Sequence, residues 1–171
     1  MTVIAIDGTF SSGKGTLGRR LSTQLNLPYL DTGKLYRATA LAAINAGTSL
    51  DDALACAKLA AELALSDLDA PELKSGDVGA AASKIAVHPP VRAALLAFQK
   101  DFAAQSGGAI LDGRDIGTVI CPDADVKLYV DAEPNVRAAR RFKELTGYGE
   151  RTSEAKVLEQ LIERDTRDSG R

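Results

Sequence analysis

The chain has no tryptophan, one histidine and two cysteines in 171 residues, and each scarcity removes a class of chemistry. His88 has no companions for a zinc site, and Cys56 and Cys121 stand far apart in no metal-ligand spacing. Free intracellular thiols are expected rather than a disulfide framework. No run of about 18 apolar residues occurs, and no charged segment followed by an apolar one opens the chain. A soluble cytoplasmic protein without membrane contact is therefore expected. Charge of one sign is missing too: 21 Lys and Arg against 23 Asp and Glu leave a net charge of -2, which gives no reason to expect nucleic acid as a partner. Any anion recognition has to be local.

What is present begins at the N-terminus. Val3 to Thr16 reads VIAIDGTFSSGKGT: a buried strand from Val3 to Ile6, a glycine-rich loop from Gly8 to Gly13, and a helix starting near Lys14. Successive backbone N–H groups in such a loop, with the positive end of the following helix, cradle phosphate oxygens, and Lys14 adds a mobile positive charge. The candidates for binding a nucleotide triphosphate, ATP in what the resemblance below implies, are Gly8, Thr9, Phe10, Ser11, Ser12, Gly13, Lys14, Gly15 and Thr16. The general phosphate-loop pattern asks for a hydroxyl directly after the lysine; here Gly15 intervenes and the hydroxyl arrives at Thr16. That spelling, GKGT, is the one nucleoside monophosphate kinases use. The competing reading is a glycine-rich turn that merely joins strand to helix.

At 45% hydrophobic residues the chain can bury one substantial core, and it is too short for two ordinary domains. Leu17, Leu21 and Leu25 predict a helix to about Leu25, ended by Asn26. A second strand, Pro28 to Leu30, leads into DTGKLYR, where Thr32 is placed to cap a helix carrying Arg37. Four helices are expected next: Thr32 to Ala46, Leu50 to Leu65, Asp77 to Val87, and Pro90 to Gln105. Ala109 to Leu111 and Val126 to Val130 complete the strands, the latter followed by a helix that Pro134 can start. Strands separated by helical stretches argue for a three-layer α/β fold with a parallel sheet and helices on both faces. DGRDIGT, Asp112 to Thr118, then falls at a strand's carboxyl end, where open α/β sheets bind ligands.

Seven of the twelve arginines lie in the last forty residues. Balancing acids make a solvated, salt-bridged face the plain alternative. In RDTRDSGR, however, Arg164, Arg167, Asp168 and Arg171 recur on one face of a continuing helix, an arrangement suited to a lid over a transferring phosphoryl group.

With these pieces in order, the chain resembles cytidylate kinases of the bacterial type. The matching segments are IAIDG-x-x-x-SGKGT, LDTG-x-x-YRA, AAS-x-x-A-x-x-P-x-VR, LDGRDIGTV-x-x-P-x-A-x-x-K and ERD-x-RD. The resemblance implies the phosphate-loop nucleoside monophosphate kinase fold, with a core of 1–31 and 108–136, a nucleotide-binding insertion of 32–107 and a lid region of 137–171. It implies transfer of the γ-phosphoryl of ATP to CMP or dCMP by a monomer, with Mg²⁺ held through the ATP phosphates and Thr16 as its candidate protein ligand. Acceptor-phosphate contacts fall on Thr32, Arg37 and Arg114, and base recognition on Ser83, Arg92 and Asp115. Lid contacts fall on Arg164, Asp168 and Arg171, and Lys14, Arg114 and Arg164 form the catalytic set. Cytosine offers a donor at N4 and acceptors at N3 and O2, which suits a carboxylate, a guanidinium and a hydroxyl; uracil has an acceptor at position 4 and a donor at N3, so CMP is expected over UMP.

Two departures stand out. Phe10 is bulky where relatives often carry small residues. The family also continues past Arg171 with a fifth strand and a final helix, so this chain is expected either to be a piece of a longer protein or to end with a bare sheet edge, and an extended chain is expected to be more stable and more active. A nucleotide-binding protein without turnover, or a small kinase with another acceptor such as UMP, are the alternative readings.

Overall fold

A computed structural model describes residues 2–169. The chain forms two units, one built from the segment up to Thr32 and from Gln99 onward, the other from Gly33–Phe98.

In the first unit, four strands form one parallel sheet in the order β2-β3-β1-β4: β1 (Thr2–Gly8), β2 (Tyr29–Asp31), β3 (Gly108–Gly113) and β4 (Val126–Val130). β1 and β3 are central, and their apolar runs IAI and AIL suit strands covered on both faces. The register sets Ile4 beside Ile110 and Ile6 beside Leu128. Ile4, Ile6 and Ile110 are buried on one face against Leu17 and Leu21 of α1 (Lys14–Leu25). Each fully buried isoleucine stabilises the fold by about 1.5–3 kcal/mol. Leu25 is exposed, so the apolar stripe ends one turn before the helix does, at Asn26 in the left-handed conformation.

Chain order crosses β1. The chain leaves β1 for β2 on one side, fills the gap with β3, then moves to β4 on the other side. The carboxyl end of β1 is therefore the switch point where a crevice opens. The strand's own outlet, the glycine-rich loop, lies there. Two further helices, α6 (Pro134–Gly147) and α7 (Glu154–Ser169), pack on each other through Ala138, Leu145, Val157 and Leu161. Among the described residues, no helix is long and apolar enough to cross a membrane.

The second unit is helical: α2 (Thr32–Asn45) from Gly33 on, α3 (Ala53–Ala61), α4 (Gly76–Ile85) and α5 (Pro89–Ala103) as far as Phe98. Its core is made of small and branched side chains, among them Leu35, Ala40, Cys56, Ile85, Val91 and Leu95. The expected helix over Leu50 to Leu65 is shorter. The Asp52 carboxylate accepts from Ala55 N at 2.9 Å and starts it late, and two 3₁₀ turns, Leu65–Asp69 and Pro71–Lys74, replace its end. Asp67 closes the first of these by accepting from Ala64 N. Ser75 caps α4 by accepting from Val78 N at 3.3 Å. The imidazole of His88 donates to Leu50 O, which makes the lone histidine structural.

One local expectation is corrected, and one element is new. Thr32 does not cap α2: it is the first helical residue, and its hydroxyl donates to Asp112 O at 2.7 Å, tying α2's start to β3. After β3 the chain makes a π-helical turn, Ile116–Ile120, which periodicity could not reveal because it spans a single turn.

Candidate active site

The loop after β1 is shaped by close approach. At Gly8, φ is +149° and a Cβ would lie 1.8 Å from Val130 O of β4, so only glycine lets β1 end beside that strand. Ser11 (φ 60°) and Gly13 (φ +105°) continue the curl, and α1 begins at Lys14. The N–H groups of that first turn are the orphans that bind anions. Ser12 is buried, and its hydroxyl has no hydrogen-bond partner among the described residues. A buried hydroxyl costs free energy unless something pairs with it, and a phosphate oxygen at this loop would do so.

Lys14 is only 6% exposed, and its ammonium donates to Thr9 O at 2.6 Å and Gly8 O at 3.1 Å. Burial, reinforced by the Arg114 charge, lowers its pKa from 10.5 to about 7, while Asp112 and Asp31 act in the opposite sense. Asp112, at the carboxyl end of β3, is pushed up to about 7 by burial and by Asp31, and Lys14, a hydrogen bond from the Tyr29 hydroxyl and Arg114 hold it down. Tyr29 itself is pushed well above its usual range, chiefly by burial. The base of the loop is thus a dry, charge-dense cluster whose members oppose one another's desolvation.

Arginines reach the loop from the later elements. Arg114 pairs through Nε with Asp168 on α7 at 2.9 Å and donates from Nη1 to Gly113 O. Arg164 lies 4.0 Å from the same Asp168, and its guanidinium stacks over the Phe10 ring at 4.0 Å from the centroid. Arg137 donates to Phe10 O at 3.1 Å and Ala132 O at 2.7 Å while gripping Asp165, and Arg140 donates to Ser12 O at 3.3 Å. Between the loop, the end of β4 and α7 is a cavity of about 440 Å³, lined in part by Gly8, Thr9, Arg114, Asp131, Arg137 and Asp168. The Thr9 hydroxyl donates to Asp131 and lowers that carboxyl's pKa.

The fold therefore gathers Lys14, Arg114, Arg164 and Asp168 around one loop. Arg167 turns outward toward Glu163 at 3.9 Å, so the expected arginine face is narrower than its spacing suggested. Thr16 is exposed on the first turn of α1, and Gly15 lies beside the Arg19 side chain. Asp115 opens the π turn, its carbonyl accepting from Val119 and Ile120 N. In the second unit, Arg37 donates to Leu73 O at 2.6 Å and Ser75 O at 3.2 Å, with its guanidinium against Gly79 on α4. Ser83, one turn further along α4, is buried, and Arg92 on α5 is half-buried. Arg171 lies outside the described residues.

Several residues of the site were not singled out from sequence. Asp7 accepts from Ile116 N at 2.7 Å and Gly117 N at 2.8 Å, holding the π turn against β1. Asp112 and Tyr29 build the buried cluster, and Arg137 with Asp165 ties the loop to α7. Asp7 and Asp112 each sit at the end of an apolar run, the one sequence signal that could have marked them.

Comparison with known proteins agrees with this geometry. A family profile described as "Cytidylate kinase" matches residues 4–171. A cytidylate kinase of Rhodopseudomonas palustris is 54% identical over 99% of this chain and 80% of its own length, and one of Methylocella silvestris is 55% identical over 99% and 78%. One of Caulobacter sp. is 50% identical over 99% and 78%. A parallel sheet flanked by helices, a phosphate loop at its switch point and relatives 50–55% identical lead to one conclusion: the chain belongs to the cytidylate kinase family, a family of phosphate-loop phosphotransferases.

Proposed function

We propose that the chain transfers the γ-phosphoryl group of ATP to CMP or dCMP, giving ADP and the nucleoside diphosphate. The observation that carries this reading is the convergence of Arg114 and Arg164, from two separate elements, on the loop that holds the buried Lys14. A nucleoside monophosphate has its second phosphate pKa at about 6 and is largely a dianion at neutral pH. One of its oxygens forms the new bond to the γ-phosphorus as the bond to the bridging oxygen breaks, the electron pair leaving on ADP. No base is required, in keeping with a lone histidine engaged elsewhere.

The protein's part is then positioning and charge neutralisation. The loop from Gly8 to Thr16 binds the ATP phosphates, with the buried Ser12 hydroxyl and Lys14 turning from the loop carbonyls to phosphate oxygens. Arg114 and Arg164 offset charge on the transferring group, and α7, carrying Asp168, excludes water as part of a lid. Thr16, exposed on the first turn of α1, would hold Mg²⁺ bound with ATP, and the ion would supply charge neutralisation on the phosphates. Thr32, Arg37 and Arg114 hold the acceptor phosphate, and Gly33–Phe98 serves as the acceptor-binding unit. Ser83, Arg92 and Asp115 read cytosine, Asp115 accepting from N4. Uracil sets an acceptor against that carboxylate, and a mispaired buried polar group costs roughly 1–3 kcal/mol. In this reading the chain works in the cytoplasm as a monomer on small molecules.

The test is ADP formation from MgATP with CMP, dCMP, UMP and AMP in parallel. CMP or dCMP should be the best acceptor. A preference for AMP or UMP would refute the base-reading assignment. Nucleotide binding by calorimetry without turnover would refute phosphoryl transfer itself.

A further inference from the structure

Phe10 belongs to a loop whose work is polar, yet its ring leaves the loop and joins the apolar contact between α6 and α7, against the cluster that contains Ala138 and Leu161. On that ring lies the guanidinium of Arg164, its central carbon 4.0 Å from the ring centroid, with the Asp168 carboxylate 4.0 Å from Arg164 Nε. Arg141 approaches the same ring at 5.8 Å. The Arg164 side chain is 17% exposed, so water screens the attraction poorly.

We infer that Phe10 is a positioning residue for phosphoryl transfer: its ring is the seat that holds Arg164 of α7 over the phosphate loop. The inference rests on the reading of Arg164 given above. An arginine held only by carboxylates spends its N–H donors on them and must be pulled away before it can serve phosphate. An aromatic face holds the guanidinium by its plane and uses none of the donors, which lie in that plane. The seat also travels with the loop, because Phe10 O accepts from Arg137, whose other donors grip Asp165 one residue beyond Arg164. A shift of the phosphate loop therefore moves ring and arginine together. Misplacement of a transition-state contact by about 1 Å costs on the order of a hundredfold in rate, so a seat of this kind matters to kcat rather than to substrate affinity.

The experiment compares the full chain with its Phe10→Leu, Phe10→Met, Phe10→Tyr, Arg164→Ala and Phe10→Leu/Arg164→Ala variants, using MgATP and CMP. Leu and Met both fill the apolar contact without a π face, so either serves if the other fails to fold. Phe10→Leu or Phe10→Met is expected to lower kcat about tenfold, equivalent to about 1.4 kcal/mol, with KM for both substrates within about twofold. Phe10→Tyr should restore most of the loss, and Phe10→Leu should add nothing once Arg164 is Ala. Equal losses in the Leu and Tyr variants would show packing alone and overturn the inference, as would wild-type kcat in Phe10→Leu and Phe10→Met beside a crippled Arg164→Ala. Wild-type kcat in Arg164→Ala would instead overturn the reading of Arg164 on which the inference rests.

Discussion

Arg137 on α6 grips Asp165 on α7 with two donors, at 3.0 and 2.6 Å, and the two partners differ sharply in burial: the arginine is 3% exposed and the aspartate 26%. That difference decides which half of the pair can be removed more cheaply. Removing the aspartate leaves a buried charge with only the Phe10 and Ala132 carbonyls as partners among the described residues; removing the arginine leaves a carboxylate that water can solvate. Asp165→Ala should therefore cost about 3–5 kcal/mol, and Arg137→Met at least about 1 kcal/mol less, since Met keeps the volume. Denaturant unfolding of both variants checks the order, and equal costs would contradict it.

Gly79 packs against Arg37, the arginine proposed to hold the acceptor phosphate. A Cβ there would meet the Arg37 guanidinium at 2.8 Å, and the obstructing atoms are the far end of a flexible side chain. Gly79→Ala should therefore change stability little, the gain of up to about 1 kcal/mol in helix propensity offsetting the loss of Arg37's hydrogen bonds. Arg37 would still be displaced from Leu73 O and Ser75 O. KM for CMP should rise about tenfold, with kcat changed less. Steady-state kinetics at saturating ATP would expose an unaltered KM, which would remove Arg37 from the acceptor site.

Lys14 makes stability depend on pH with a definite sign. Its folded pKa, about 7, lies below the unfolded 10.5, so between these values the unfolded chain binds more protons and the lysine's contribution to stability rises with pH. Asp112 acts the other way at lower pH: raised from 3.8 to about 7, it makes stability fall as pH climbs through that window. From pH 7 to 10 the wild-type chain should gain on Lys14→Met by several degrees in Tm. A flat difference would mean that Lys14 is not desolvated. The same substitution should abolish phosphoryl transfer far more than it disturbs the fold.

Asp7 carries two backbone donors on one carboxylate. Asp7→Ala strands Ile116 N and Gly117 N beneath the π turn and should cost about 2–3 kcal/mol, whereas Asp7→Asn keeps one acceptor and should fall between. Because the turn begins directly after Arg114 and Asp115, turnover with CMP should fall along the same series. Thermal unfolding read beside activity tests this, and full activity in Asp7→Ala would separate the turn from the site.

Much of the fold, and the phosphate loop with it, was legible in the sequence. The strand, loop and lysine at the N-terminus, Asn26 ending α1, Val126 to Val130 as a strand and Pro134 starting α6 are local signals, written in residues a few positions apart. Phe10 was legible only as an oddity. Nothing within ten residues of it says that its ring meets Arg164, and its purpose appears only when α6 and α7 come against the loop. Thr32 shows the limit of local rules: a threonine at a helix start reads as a cap, yet Asp112 O, eighty residues away in the chain, takes its hydroxyl instead.

By itself the sequence determined the phosphate loop, the parallel α/β class and the family, because each depends on short-range periodicity, turn chemistry and motif order. The tertiary structure alone decided which charges face which: Arg114 with Asp168, Arg137 with Asp165, Arg164 on Phe10, and Lys14 dried out beside Asp112. Those relationships depend on burial and on distances of a few ångströms between residues far apart in the chain, and a linear order of residues carries neither.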